Sequence, residues 1–214
     1  MLVRVLKIMA HGIALVAASP FLVYSLAGLR VFGTRGPYSF SAWTLAFVPG
    51  LPGLLMRRAF YRATLDEAHW DLSVQAGSVF VRPDCRIGPN NWFGAYCVIG
   101  RCRTGRDVLV ASRVSILSGR RQHALPGASE AGAGGVEFRE TFLGDAAWIG
   151  EGAVVMADVG DHAVVGAGSV VVHPVEPWEV VGGNPARRIR LRAAGQGSES
   201  PRTDSPGSGA ASSR

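Results

Sequence analysis

The sequence predicts an all-β solenoid of stacked short-stranded coils, with apolar helices before it and a disordered tail after it. Three observations lead to this prediction. Large apolar residues recur every six positions in the middle of the 214-residue chain, two long apolar stretches lie near the N-terminus, and residues 195–214 are small or polar. We therefore divide the chain into an apolar helical segment (1–65), a repeat domain (66–192) with a loop insertion (119–141), and a tail (193–214).

The first 65 residues carry seven Arg or Lys and no Asp or Glu, although the net charge of the whole chain is only +6. Within them, Ile8–Leu29 is long enough to cross the hydrocarbon core of a bilayer. A second apolar stretch, Phe40–Met56, is interrupted by Pro49–Gly53 and is typical of a broken, re-entrant or interfacial helix. Because the arginines flank apolar stretches and do not cluster on a polar face, we expect membrane attachment and no nucleic acid partner.

The positive-inside rule favours the cytoplasmic face of the inner or plasma membrane. Two alternatives remain open for the same stretch. One is a secretory signal peptide, since Arg4 and Lys7 precede the apolar run and Ala17–Ser19 offers small residues for cleavage. The other is a buried helix of a soluble fold.

The period of six defines the middle of the chain. A helix spaces its large residues by three and four and a plain strand by two, so six fits a short strand followed by a turn. Three such units close a triangular coil, and stacked coils pair strand on strand about 4.8 Å apart. A Gly usually follows the large residue, and we expect it to supply backbone freedom at the corner. The large residues are Val81, Ile87, Phe93, Ile99, Val110, Ile116, Leu143, Ile149, Val155, Val159, Val165 and Val171.

The three cysteines, Cys85, Cys97 and Cys102, are odd in number and lack C-x-x-C spacing. That pattern disfavours a disulfide scaffold and a four-cysteine zinc site. Cys85 and Cys97 fall at small inward positions of the repeat. We expect buried thiols in a reducing compartment.

Three motifs carry a resemblance to a known family: WIGEGAVV at Trp148–Val155, VGAGSVV at Val165–Val171 and VGGNPAR at Val181–Arg187. Over roughly Val74–Arg192 the chain resembles the hexapeptide-repeat acyltransferases, most closely the sugar and polysaccharide O-acetyltransferases. The resemblance implies a left-handed parallel β-helix, homotrimers with active sites in the clefts between subunits, and acetyl-CoA as the acyl donor. It implies no metal.

The one long break in the repeat contains His123. Family members carry their catalytic His in an equivalent loop, so the resemblance implies that His123 is the general base. A neutral imidazole can take the proton from an acceptor hydroxyl as that oxygen attacks a thioester carbonyl. Arg120–Gln122 separate His123 from Gly119, which is more than the family's usual spacing, and without the resemblance His123 reads as a solvated loop residue. Glu137, Glu140 and Asp145 are candidates to orient it.

The resemblance also assigns the donor-binding positions. Ala167 and Gly168 would offer backbone hydrogen bonds to the pantetheine arm, and two arginines would meet the CoA phosphates, as guanidinium groups suit phosphate oxygens. The positions for donor binding are Glu151, Ala167, Gly168, Val172, Arg187 and Arg190. A solvated basic terminus is the alternative for the arginines.

Tyr96 lies near the position where family members bind their acceptor, and Asn91 is close to it in sequence; both could equally be surface residues. A membrane anchor beside a CoA enzyme favours a lipid-linked or small-molecule sugar in polysaccharide biosynthesis. Three other functions stay open: an antibiotic O-acetyltransferase of the streptogramin or chloramphenicol type, a zinc enzyme resembling the γ-carbonic anhydrases, and a non-catalytic β-helix scaffold. The histidines lack the close pair that the zinc site usually contains.

Overall fold

The computed structural model describes residues 2–118 and 139–192, with side chains from Met9 onward. His123, Glu137 and the tail 193–214 lie outside the described residues. Three helices open the chain: α1 (Leu2–Arg30), α2 (Gly36–Ala46) and α3 (Gly50–Thr64). The apolar stretch 40–56 therefore contributes to two helices, α2 and α3, which are separated by residues 47–49. Within the described residues, Met9–Arg30 of α1 is the one segment long and apolar enough to cross a membrane, with a mean hydropathy of 1.8.

The rest of the described chain consists of short strands in three sheets. From β1 to β11, consecutive strands join the three sheets in rotation; beyond β9 the third side continues as isolated bridges at Val159 and Val175. All strand pairs are parallel until the last one, where β14 and β15 are antiparallel. The predicted parallel strands are confirmed. The strands are β1 Ser73–Val74, β2 Val79–Phe80, β3 Arg86–Ile87, β4 Trp92–Phe93, β5 Val98–Ile99, β6 Cys102–Thr104, β7 Leu109–Val110, β8 Ser115–Ile116, β9 Thr141–Leu143, β10 Trp148–Ile149, β11 Val154–Val155, β12 Val164–Val165, β13 Val170–Val171, β14 Glu179–Gly182 and β15 Arg187–Leu191.

The large residues of the repeat form the core that these sheets enclose. From Ile87 to Val171 every predicted inward position is at most 1% exposed, and burying such a side chain contributes about 1.5–3 kcal/mol. Val81 is the exception: it is 36% exposed at a corner, and Phe80 is buried in its place. The reason is local, since the corner between Phe80 and Ile87 holds one residue more than the repeat allows.

All three thiols are free and buried, as predicted. Burial raises the pKa of Cys97. A hydrogen bond with the Cys85 thiol, together with burial, raises the pKa of Cys102. Because the thiolate is the reactive form, the raised pKa values of Cys97 and Cys102 and the burial of all three thiols make these cysteines inert packing residues.

The repeated glycines serve close packing between coils. A Cβ on Gly88 would lie 2.3 Å from the carbonyl oxygen of Gly105, and a Cβ on Gly150 would lie 2.5 Å from the amide nitrogen of Ala167. The positive φ angles fall two positions later, for example at Asn90 (φ 57°). Our expectation of backbone freedom at the glycine itself was therefore wrong: these glycines are required because the next coil's backbone touches them.

The helices close the open end of the β-structure. Tyr61 packs edge-on against Phe80 with ring centroids 4.9 Å apart, and the Tyr38 hydroxyl donates to the Phe80 carbonyl at 2.9 Å. Gly77 donates its amide to the carbonyl of Ala46 at the end of α2, at 2.7 Å. One continuous core therefore runs from the helices into the sheets.

Arg57 joins the helical segment to the β-structure. It is 1% exposed, and its guanidinium donates to the carbonyls of Val74 (2.9 Å), Leu45 (2.9 Å) and Val48 (2.7 Å). Burial lowers the pKa of its guanidinium. The three carbonyls come from β1 and from the end of α2, so a single side chain fixes the turn between α2 and α3 against the first strand.

We expect Arg57→Ala to lower the free energy of unfolding by about 3 kcal/mol, because three carbonyls lose a charged donor. Urea denaturation followed by circular dichroism measures the change. Arg62→Ala on the exposed face of the same helix is the control, and it should shift the value by less than about 0.5 kcal/mol. Equal effects of the two substitutions would contradict the assigned role of Arg57.

Candidate functional site

The corner between the sheet containing β1 and the sheet containing β2, which we call the first corner, holds half of the predicted donor-binding residues. It is built from four-residue turns stacked in successive coils. In each turn the third residue has a positive φ, as at Gly152 (69°) and Gly168 (67°). In three of the five turns, the amides of Ser78, Ala153 and Ser169 at the fourth position donate to the first residue's carbonyl at 3.2–3.3 Å. This is the pattern of a type II turn. The turns are Gln75–Ser78, Gly94–Cys97, Ala111–Val114, Gly150–Ala153 and Gly166–Ser169.

Hydrogen bonds between coils use the third residue of each turn. The Gly168 amide donates to the Glu151 carbonyl at 2.8 Å, and the Gly152 amide donates to the Ser112 carbonyl at 3.0 Å. Of the two amides predicted to meet the donor, that of Gly168 is therefore engaged in the wall. That of Ala167 bonds to no other described residue.

The amides at the second position of the turns are satisfied to different extents at different corners. Lower in the first corner, the Ala95 amide is satisfied by the Ser112 hydroxyl at 3.2 Å. At the corner leading back to the β1 sheet, which we call the third corner, aspartates play this part: the Arg106 amide donates to Asp145 and the Asp145 amide to Asp161, both at 2.8 Å. Above Ala95, no described residue accepts the amides of Ser112, Glu151 or Ala167. The first corner thus presents a column of available backbone donors.

Space is open in front of this column. A Cβ added to Gly152 or Gly168 would find no atom within 4 Å, and Ala167 and Gly168 are exposed. The Glu151 carboxylate lies 3.2 Å from the Arg113 guanidinium, with both side chains exposed, so the pair contributes little stability. Free donors beside open space can bind the carbonyl oxygens of an extended ligand.

The predicted phosphate-binding arginines lie on β15. The turn before this strand adjoins the first corner, because the Ala186 amide donates to the Val170 carbonyl at 2.8 Å. Arg187 is exposed immediately after that turn, and Arg190 is exposed farther along the strand, opposite Val180. Val172 is half-buried at the corner after β13, away from the column.

The structure separates the two predicted acceptor residues. Tyr96 is 63% exposed at the first corner. Asn91 lies at the third corner and is 1% exposed; its amide donates to the Thr104 hydroxyl and the Gly105 carbonyl and accepts from the Val108 amide at 2.7 Å. Because every polar atom of its side chain is used inside the wall, Asn91 is a structural residue, and its prediction as an acceptor contact is not supported.

The insertion leaves the wall at the remaining corner, between the β2 and β3 sheets. Its described ends adjoin, since the Arg139 amide donates to the Ser118 carbonyl at 3.0 Å. His123 itself is outside the described residues. Two of its predicted orienting groups are engaged elsewhere: Glu140 lies 3.6 Å from Arg103 and 3.8 Å from Arg86, and Asp145 caps the Arg106 amide. No group of three or more His, Cys, Asp or Glu within the described ranges could hold a metal ion.

Sequence reasoning missed the free amides of Ser112 and Glu151. A signal for them exists. The second-position amide of a turn is satisfied when the next coil up has Ser or Asp at its own second turn position. At the first corner, Glu151 lies above Ser112, and Ala167 lies above Glu151. Neither side chain caps the amide below it.

Asn91→Ala should lower the free energy of unfolding by about 2 kcal/mol, because Thr104, Gly105 and Val108 lose their shared partner. Chemical denaturation measures this. Asn90→Gly is the matched control, since it removes an exposed amide while keeping the positive φ, and it should cost less than about 1 kcal/mol. If Asn91→Ala left stability unchanged and only weakened binding of a sugar, the structural role would be wrong.

Comparison with solved structures identifies the fold; no family model and no curated protein matches the chain. A maltose O-acetyltransferase from Clostridium difficile 630 aligns with TM-score 0.64 and 23% identity over 78% of this chain and 91% of its own. A galactoside acetyltransferase in complex with coenzyme A gives TM-score 0.60 and 20% identity over 72% and 78%. A hexapeptide-repeat-containing acetyltransferase from Vibrio cholerae gives 0.59 and 23% over 72% and 89%. The chain has the fold of the hexapeptide-repeat acetyltransferases.

Proposed function

We propose that this protein is a CoA-dependent O-acyltransferase that moves an acetyl group from acetyl-CoA to a hydroxyl of a sugar or polysaccharide precursor. The observation that carries the proposal is the column of available amides at the first corner, which faces open space and adjoins a basic strand. The same fold occurs in sugar acetyltransferases, one of them crystallised with coenzyme A. We further infer that the three sheets wind as a left-handed solenoid and that the active unit is a homotrimer.

The residues of the first corner fit the chemistry of the donor. A pantetheine arm carries amide groups along an extended chain, and the free Ala167 amide can donate to one of its carbonyl oxygens. Gly168 keeps the space in front of that amide open because it has no side chain. Arg187 and Arg190 supply positive charge for phosphates. Glu151, at the first corner, and Val172, at the corner after β13, are proposed to contact the donor as well.

The acyl transfer itself needs a base and a positioned hydroxyl. His123 is proposed to accept the hydroxyl proton while the oxygen forms a bond to the thioester carbonyl carbon. The C–S bond then breaks, and the CoA thiolate leaves and takes up a proton. Because the acetyl group passes directly to the acceptor, no residue of the chain forms a covalent intermediate.

Acceptor recognition is assigned to the exposed ring of Tyr96. Aromatic side chains offer a sugar an apolar surface with a polar hydroxyl at its edge. The apolar helical segment, with its seven basic and no acidic residues, supports a location at the cytoplasmic side of a membrane, where a lipid-linked sugar would be the acceptor.

His123→Ala should lower turnover by about 10²–10⁴-fold because the general base is removed. The assay is release of CoA thiol from acetyl-CoA across a panel of sugars and nucleotide sugars. His69→Ala is the control, because His69 precedes the first coil, and its turnover should match that of the unaltered protein. Near-normal turnover of His123→Ala would exclude His123 from the mechanism, and no thiol release with any acceptor would favour a non-catalytic scaffold.

Ala167→Pro tests the donor site by deleting one N–H group. Proline is favoured at the second position of a type II turn, and Pro89 and Pro177 already hold that position at the third corner. Loss of a hydrogen bond worth about 1 kcal/mol should raise KM for acetyl-CoA about three- to tenfold with the fold intact.

Ala76→Pro is the matched control for that substitution, since Ala76 holds the same turn position in the first coil. It should leave KM for acetyl-CoA unchanged. If both variants bound acetyl-CoA as well as the unaltered protein, the Ala167 amide would not be a donor contact.

A further inference from the structure

The first helix packs on α2 and α3, which contact the first strands of the β-structure. At its N-terminal side, the His11 ring packs edge-on against Trp70 at 5.1 Å between centroids and lies 3.2 Å from the Arg58 guanidinium. Trp70 immediately precedes the first coil. The N-terminal part of α1 is therefore held against the base of the β-structure.

The C-terminal half of α1 is held by α2, which is itself bonded to β2. A Cβ on Gly28 would lie 2.5 Å from the Pro37 ring, and the Ser41 hydroxyl donates to the Phe21 carbonyl at 3.3 Å. Tyr38, next to Pro37, bonds to Phe80 in β2. Since both halves of α1 are tied to this base, the helix runs across it and does not project from it.

The outward face of α1 is apolar. Met9, Val16 and Val23 are 57%, 73% and 69% exposed, and a spacing of seven residues places them on one face of a helix. On its inward face, Ala14, Ala18 and Leu22 are buried. Beside this outward face, α1 and α3 enclose an apolar pocket of about 260 Å³, whose lining includes the exposed side chains of Ile13 (68%) and Leu51 (64%).

Charge indicates what covers this apolar face. The first 65 residues contain seven basic and no acidic residues, and Arg30, Arg35 and Arg62 are exposed on the helices. Arg or Lys beside an anionic lipid surface strengthens binding, and an apolar helix face with basic neighbours is typical of in-plane membrane helices.

We propose that the three helices bind one leaflet of an anionic bilayer, with α1 in the plane of the interface and the β-structure standing on the membrane. Although α1 has the length to span a bilayer, its contacts with Trp70 and Arg58 at His11, and with α2 along its C-terminal half, hold it parallel to the surface. The proposal rests on the membrane attachment included in the proposed function, and it adds the mode of attachment.

Vesicle sedimentation of the full-length protein tests the attachment. We expect at least about tenfold more protein on vesicles of phosphatidylcholine with phosphatidylglycerol than on phosphatidylcholine alone. Val16→Glu combined with Val23→Glu should abolish binding. Ile189→Glu is the control: Ile189 is 68% exposed on β15, and this variant should bind as the unaltered protein does.

Two results would overturn the attachment. One is unchanged vesicle binding by the double variant. The other is no vesicle binding by the unaltered protein. In that case, a smaller assembly for the double variant in solution would assign the face to a second copy of the chain. Thiol release from acetyl-CoA with soluble sugars is measured separately, so failure here and failure of the proposed acyl transfer can be told apart.

Depth measurements test the flat orientation. Spin labels on Met9→Cys, Val16→Cys and Val23→Cys can be located in the bilayer by their relaxation with oxygen and with a nickel chelate. The three native thiols are buried, so the label goes to the introduced cysteine. A flat helix places the three labels at one depth, whereas a spanning helix separates neighbouring labels by about 10 Å, a result that would overturn the proposal.

Discussion

The close stacking of one coil's backbone on the next is the constraint on which the rest of the structure depends. Parallel strands lie about 4.8 Å apart, and at that spacing no side chain fits between the turns. The first position of many turns is therefore glycine, as Gly88 and Gly150 illustrate. The third position takes a positive φ and donates its amide to the coil below, which leaves the second-position amide to be satisfied from the coil above.

The three corners differ in whether these second-position amides find an acceptor. At the third corner, Asp145 and Asp161 accept the amides of Arg106 and Asp145, and Pro89 and Pro177 have no N–H group to satisfy. At the corner after β8 the wall opens into the insertion. At the first corner the residues above Ser112 and Glu151 do not cap their amides, so donors remain for a ligand. One repeated fold thus yields one edge whose turn amides are mostly capped or replaced by proline, one edge carrying a long insertion and one edge with uncapped amide donors.

The period of six predicted the strands and the inward residues from Ile87 onward because it is a local property of the sequence. It failed at Val81, where one extra residue before Ile87 shifts the register and puts Phe80 inside. It also could not show that Asn91 is buried, or that the Gly168 amide is engaged, because both depend on partners in a neighbouring coil. Arg57 illustrates the same limit, since its three acceptors come from β1 and from the end of α2.

The orientation inferred for the helices fixes the height at which the chemistry would take place. Ala167 lies in the turn after β12, in the fifth coil counted from the base, while β1 lies in the first. Four coil spacings of about 4.8 Å place the free amide about 20 Å above the first coil. A hydroxyl buried among acyl chains could not reach that level. A sugar carried on a lipid through an extended head group, or a soluble sugar, could reach it, and so the stacking distance of the coils bears directly on the class of acceptor.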